Sequence, residues 1–460
     1  MFMSDFYNED FEKIASDALS SLCDDYRKNY YIPPEMYGQY QVMRGLRYRS
    51  GSGVRAGLTK ICNVHGYLIN EGEKQPDDGR LVYRGIDIND FINGCVGENR
   101  YGFEEVGWLL LFGKLPNSNQ LKNFTETLAV FRELPFHFSE DMILNAPSRN
   151  IMNKMARSVL ALYSYDDDPD NCSLENMLLQ SIKLIARMPH IMLHAYQAKR
   201  YNFDGKGMFF HPLNPEHNTA QSILYGMRED KTFTEEEARL LDLAMIIHAE
   251  HGGGNNSTFT TRVLSSSGTD TYSAISGALG SLKGAKHGGA NMKVTEMMDE
   301  VKANVSDWKN EGEVADYITK ILRKEAGDGS GLVYGMGHAI YTKSDPRAVI
   351  LKKYAKNLAF EKGYGDEFEL YEMVERLVPE LFHREKKIAK SMCANVDFYS
   401  GLVYRSLGIP SELFTPLFAV ARVVGWCAHR IEEVAFGGRI IRPAYKAIMP
   451  DQEYIPINQR

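Results

Sequence analysis

Residues 234–254 read Thr234-Glu-Glu-Glu237-Ala-Arg-Leu-Leu241-Asp-Leu-Ala244-Met245-Ile-Ile-His248-Ala-Glu-His251-Gly-Gly-Gly254. Thr234 followed three residues later by Glu237 is a capping box, which supplies partners for orphan N–H groups at a helix start. Leu241, Ala244, Met245 and His248 then recur on one helical face. The three glycines stop the run. The stretch therefore predicts a helix over 234–251, with His251 at its end. The same helical period governs the surrounding chain. Residues 173–200 read as a helix broken at Pro189. Residues 270–283 carry Ala274, Gly277, Ala278 and Gly280, small side chains that let a second helix approach closely. Strand signals occur early, at 61–70 and 80–84. They flank Asp77-Asp78-Gly79, which reads as a hairpin turn. The expected fold class is mainly α and multi-helical, with a minor N-terminal β-hairpin.

The chain has 460 residues, 44% hydrophobic and 25% charged, enough for two domains and a sizeable core. A formal charge of −7 gives no basic footprint for nucleic acid. Any anion it binds must meet locally placed arginines. The six cysteines form no C-x-x-C pair, which points to a reducing compartment. Residues 1–25 are acidic without an apolar run, unlike a signal or transit peptide. The apolar run 416–428 is too short to span a bilayer. These features suggest a cytoplasmic enzyme.

Three histidines stand among glycines: His251 before Gly252-Gly-Gly254, His287 in Gly284-Ala-Lys-His287-Gly-Gly-Ala-Asn291, and His338 in Tyr334-Gly-Met-Gly-His338. Glycine beside a polar side chain lets backbone and ligand come close. His287 precedes a predicted helix over 291–303, whose positive end disfavours an imidazolium; it could serve only as that helix's cap. Arg422 is the lone charge in 416–428 and must find an anion or snorkel to solvent. Arg347 follows Asp345-Pro346, and Arg442 precedes Pro443. Asp397, beside Val396, Phe398 and Tyr399, suits a desolvated general base, or else a helix N-cap. Two other classes compete. His248 and His251 flank Glu250, which suggests zinc hydrolysis, although H-x-x-H departs from H-E-x-x-H. A non-catalytic CoA-binding protein would not need this whole set of residues.

Taken in order, these motifs resemble the citrate synthase family. His248-Ala-Glu-His251 with Asn255-Asn-Ser257, His287-Gly-Gly-Ala-Asn291, Gly335-Met-Gly-His338 with Asp345-Pro-Arg347, and Asn395-Val-Asp397-Phe-Tyr-Ser-Gly401 carry the likeness. Arg80-Leu-Val-Tyr-Arg84-Gly-Ile-Asp87, Arg422 and Arg442-Pro443 extend it over roughly residues 57–445. The resemblance implies a nearly all-helical dimer with a cleft between a large domain (1–286 and 405–460) and a small domain (287–404). It implies condensation of acetyl-CoA, a co-substrate rather than a permanently bound cofactor, with oxaloacetate, and no metal. Asp397 is expected to take a methyl proton, His287 to donate to the thioester oxygen, and His338 to polarise the oxaloacetate carbonyl. His251, Arg347, Arg422 and Arg442 are expected to grip oxaloacetate and citrate, with Arg442 reaching across the dimer interface. The motifs are shared with 2-methylcitrate synthases, which use propionyl-CoA. Gly252 stands where many relatives have Glu, and Thr342 where a basic residue often meets CoA phosphates, with Lys343 next to it.

Overall fold

The computed structural model describes residues 19–24, 26–27, 31–48, 52–70, 73–387 and 391–460. Most of the acidic stretch 1–25 lies outside the described residues. The chain divides into two compact units, Met1–Arg55 with Arg442–Arg460, and Ala56–Ile441. In the first, a short helix Pro34–Gln39 precedes an isolated bridge between Arg47 and Gly53. Among the described residues, no helix is long and apolar enough to cross a membrane.

The second unit carries one antiparallel sheet of three strands, β1 Cys62–Asn70, β2 Glu73–Tyr83 and β3 Ile86–Asp87, in that order. The rest is mainly helical. The helices that matter for the site are α1 Leu174–Phe203, α2 Glu235–His248, α3 Asn256–Ser266, α4 Thr271–Lys283, α5 Ala290–Asn304, α6 Pro346–Glu361, α7 Val396–Ser406 and α8 Phe414–Ala435. Helix α8 is the axis of the core. Residues 414–430 are all buried, and α8 packs against α1, α2, α3 and α4. The apolar run in the sequence is thus a helix sealed inside the protein.

Three sequence expectations change. Helix α2 has its Thr234–Glu237 capping box, but ends at His248, so Glu250 and His251 lie on the loop beyond it. Pro189 does not break α1, which runs continuously through it. A proline inside a helix costs about 3 kcal/mol or more. Met188, Ile191 and Met192 around it are fully buried; at about 1.5–3 kcal/mol per large apolar side chain, their packing offsets that cost. The hairpin exists, but Asp77-Asp78-Gly79 is not its turn. The strands pair out to Asn70 with Glu73. His65 pairs with Arg80 and Tyr67 with Pro76, so Gly66 faces three residues, Asp77 to Gly79, as a bulge.

That bulge is made for a neighbour. The Asp77 N–H donates to Thr342 Oγ1 and the Gly79 N–H to Ser344 Oγ, each at 3.1 Å. The Thr342 hydroxyl donates back to the Gly66 carbonyl. A Cβ on Gly79 would lie 2.1 Å from the Ser344 carbonyl oxygen, and one on Gly66 2.7 Å from Tyr341 Cα. The bulge therefore grips the loop that follows His338. Helices α3 and α4 meet as their small residues suggest: a Cβ on Gly277 would lie 2.3 Å from Leu264 Cδ1.

Gly425 marks the tightest approach to α8. A Cβ there would lie 2.4 Å from the Ala249 carbonyl oxygen and 2.2 Å from Glu250 Oε2. Alanine in a helix normally gains about 1 kcal/mol over glycine. Here the clash with fixed backbone should win, so Gly425→Ala should destabilise the protein by about 1–3 kcal/mol in denaturant unfolding. A variant as stable as the parent would contradict this packing.

Candidate active site

Two loops approach each other through a short antiparallel bridge between Met336 and Ala394. The Gly337 N–H donates to the Cys393 carbonyl at 2.7 Å, and the Asn395 N–H to the Gly335 carbonyl at 2.8 Å. Gly335 has φ +77°, and a Cβ there would lie 2.9 Å from Phe398 Cα, so only glycine fits. This bridge ties the loop that carries His338 to the segment that leads into α7 and Asp397.

Asn395, not Asp397, caps α7: its side chain accepts from the Asp397 N–H. Asp397 lies in the helix's first turn with its carboxylate free of capping duty. Although partly accessible, it is crowded by protein. Burial pushes its pKa up to about 6; Arg347 and Arg422 pull it down, and Asp345 pushes it up.

Each catalytic-candidate histidine is oriented by backbone donors. His338 Nδ1 accepts the N–H groups of Ile340 and Tyr341, both at 3.1 Å. An N–H can only donate, so in the neutral ring the proton is on Nε2. The ring stacks on Tyr341, with centroids 4.6 Å apart. His287 Nε2 faces the Ser257 N–H at 3.4 Å and Ser257 Oγ at 3.0 Å. Ser257 is fixed in turn by Trp426, whose indole N–H donates to its hydroxyl at 3.2 Å. Accepting from the backbone leaves the neutral His287 proton on Nδ1. Burial first, and the charge on Arg422 second, bring its pKa down to about 4, so the ring is neutral at pH 7. Its neutrality comes from burial, and Gly289 is the N-cap of α5, so His287 is not that helix's cap.

His251 is buried, with Nε2 3.2 Å from the Tyr341 hydroxyl and its ring edge-on to His338 at 5.2 Å. Burial and then Arg347 hold its pKa well below the usual histidine value. Arg347 opens α6 and is buried against its own helix cap: Nε and Nη2 donate to the two oxygens of Asp345 at 3.0 and 2.7 Å. Asp345 also accepts the Val396 N–H, tying α6 to α7.

Arg422 does not snorkel. It is 0% exposed in the middle of α8. Nε donates to the His248 carbonyl at 2.5 Å, and the guanidinium lies 4.6 Å from the Phe418 ring centroid. Nη1 and Nη2 have no partner. Two buried, unsatisfied donors on a cation are costly unless an anion completes them. Glu250 offsets part of the burial that depresses the Arg422 pKa.

The structure thus gathers His251, His287 and His338 from loops, Arg347 and Asp397 from the first turns of α6 and α7, and Arg422 from the middle of α8. Arg442 belongs to the first unit and is exposed there. The histidine pair behind the zinc reading does not converge. His251 meets Tyr341, whereas His248 packs against Phe418 at 4.5 Å and both its ring nitrogens lack partners. Among the described residues, no three His, Cys, Asp or Glu side chains form a group that could hold a metal ion. Sequence reasoning missed Tyr341, Ser257, Trp426 and Glu250. Ser257 and Glu250 lie inside quoted motifs, though without these roles, and Tyr341 lies three residues after one. Trp426 carries no local signal for its contact.

Residues 48–444 match the family model described as citrate synthase, C-terminal domain. The chain is 32% identical to the citrate synthase of Synechocystis sp. over 89% of its own length and 93% of that protein. Its fold is similar to the crystal structure of citrate synthase from Thermotoga maritima, with TM-score 0.70 and 30% identity over 90% of this chain and 99% of that one. It is also similar to citrate synthase from Thermoplasma acidophilum in a ternary complex with carboxymethyl coenzyme A and oxaloacetate, with TM-score 0.72 and 25% identity over 88% and 97% of the two chains. On its site motifs and on likeness along most of its length, the chain belongs to the citrate synthase family.

Proposed function

We propose that this enzyme joins the methyl carbon of acetyl-CoA to the ketone carbon of oxaloacetate and hydrolyses the resulting citryl-CoA to citrate and CoA. The observation that carries the reading is Arg422, a sealed guanidinium with Nη1 and Nη2 unpaired beside Arg347 and three histidines. A dicarboxylate supplies the anion this arrangement lacks. His251, Arg347 and Arg422 hold it, joined by Arg442 of the partner subunit in a homodimer.

Asp397 takes a proton from the acetyl methyl. A thioester methyl is a far weaker acid than any carboxylic acid, and each pKa unit of mismatch costs about 1.36 kcal/mol. The raised pKa of Asp397 narrows that gap, and the Nδ1–H of His287, donating to the thioester oxygen, narrows it further. A neutral donor suits this role, since it stabilises the enol oxygen without giving up its proton early. The nucleophilic carbon then attacks the ketone carbon. The ketone π electrons move to oxygen, where the Nε2–H of His338 meets the growing charge. Water finally cleaves the thioester, and CoA leaves as the thiol. His251 and Arg422 come from the segments 1–286 and 405–460, the other four residues from 287–404. We take these segments as the large and small domains, which close on oxaloacetate and exclude water. Six free cysteines support a reducing, cytoplasmic setting.

Free thiol should appear only when oxaloacetate and an acyl-CoA are both present. Acetyl-CoA should outpace propionyl-CoA, since a pocket fitted to one methyl discriminates by about 1–3 kcal/mol. Thiol release without oxaloacetate would refute condensation, and faster release from propionyl-CoA would reassign the enzyme to 2-methylcitrate formation.

The base must be ionised to act. Turnover should therefore rise through pH about 6 and fall about tenfold per unit well below it. Asp397→Asn should lose at least about 100-fold in kcat while oxaloacetate binding, measured by calorimetry, stays near that of the parent. An active Asn variant with the same acid limb would remove Asp397 from the mechanism.

A further inference from the structure

Arg422 poses a question that its role as a dicarboxylate ligand does not answer: what balances its charge while the site is empty. The facing loop supplies Glu250, which is itself 0% exposed. Its surroundings fix both its charge and its orientation. The Arg262 guanidinium can only donate, and its Nε and Nη2 reach His429 Nδ1 at 3.0 and 2.7 Å. That nitrogen is therefore an acceptor, and the neutral His429 ring carries its proton on Nε2. Nε2–H donates to Glu250 Oε1 at 3.0 Å, and the Gly252 N–H donates to the same oxygen at 2.5 Å. Arg262 is in turn paired with Glu432 and with Glu433. Burial raises the Glu250 pKa; the hydrogen bond from His429, the charge on Arg422 and the Gly252 N–H act the other way and hold the carboxyl below its ordinary value.

The second oxygen, Oε2, has no hydrogen-bond partner. It lies against Gly425, three residues along α8 from Arg422, where a Cβ would stand 2.2 Å away. Glu250 thus balances the charge of Arg422 while leaving the two Nη groups uncapped. A carboxylate bonded to those groups would have to be displaced by any ligand. One held at the side, by a neutral histidine and a backbone amide, compensates the charge and leaves the donors open.

We propose that Glu250 is a positioning residue of the dicarboxylate site, a built-in counter-charge that compensates Arg422 and leaves its two Nη groups open in the empty enzyme, and that opposes the incoming dianion. This rests on Arg422 being a dicarboxylate ligand. It has a consequence whose sign differs from that of a merely structural role. Loss of a structural support weakens substrate binding. Loss of a counter-charge leaves Arg422 uncompensated until the dianion arrives, so binding tightens while the empty protein becomes less stable.

The test is calorimetric binding of oxaloacetate, with steady-state kinetics and thermal melting, on the parent, Glu250→Gln and Arg422→Leu. Glutamine keeps an oxygen to accept from His429 and Gly252. Glu250→Gln should bind oxaloacetate at least about threefold more tightly. Its kcat should be lower, because the still more anionic product leaves more slowly. Its melting temperature should be lower without ligand, with a larger upward shift on adding oxaloacetate. Equal or weaker binding by a folded Glu250→Gln, with Arg422→Leu losing affinity, overturns the counter-charge and leaves the dicarboxylate reading standing. Unchanged affinity in Arg422→Leu removes that reading as well. If Glu250→Gln folds only with saturating oxaloacetate present, the proposal is supported; if it fails to fold even then, it is overturned.

Discussion

A guanidinium fully enclosed by an apolar helix is the constraint to which the rest of this structure answers. Isolating an ion from water costs several kcal/mol even after the protein relaxes. Arg422 recovers part of that from the His248 carbonyl at the end of α2, part from the Phe418 ring, and part from the field of Glu250. Its two free nitrogens remain unmet. Burial in α8 also sets Arg422 against the end of α2. The His248 carbonyl, left without an intrahelical partner at the helix end, becomes an acceptor for Nε. The next turn of chain, Glu250 to Gly254, is released as a loop carrying His251.

Backbone amides do the remaining positioning. Tautomers of neutral histidines are ordinarily ambiguous, but N–H groups aimed at His338 Nδ1 and His287 Nε2 leave one assignment each. The donors are rigid because their loops are clamped. The β1–β2 bulge holds residues 340–344, the Met336–Ala394 bridge joins the two loops, and Asp345 ties Arg347 to the start of α7. Preorganised donors of this kind act without reorganising as charge develops. The strained glycine positions fall at these clamps because two backbones meet there.

Much of this was legible in the chain itself. The capping box of α2 and the small residues of α4 each encode a local preference that tertiary packing did not need to override. The glycine-flanked histidines marked the loops correctly, and Asp397 stood in a setting that desolvates a carboxylate. Asp77-Asp78-Gly79 misled because its turn propensity is real; what overrides it is a loop 265 residues away, donating and accepting at the bulge. Pro189 misled for a similar reason, since the packing that sustains α1 around it is nonlocal. Periodicity could not decide whether Arg422 faced solvent or the core, because every face of α8 is buried over residues 414–430. Glu250 was invisible as a counter-charge, since its side-chain partner His429 comes from α8, 179 residues along the chain.

The most direct test is to measure the distances from Arg422 Nη1 and Nη2 to the nearest ligand oxygens in a crystal structure of the protein with oxaloacetate. The account predicts one carboxylate spanning both nitrogens at about 2.7–2.9 Å, as charge-assisted pairs do, with the ketone oxygen facing His338 Nε2. Oxaloacetate bound elsewhere, or in this site with both Nη groups still unpaired, would contradict it.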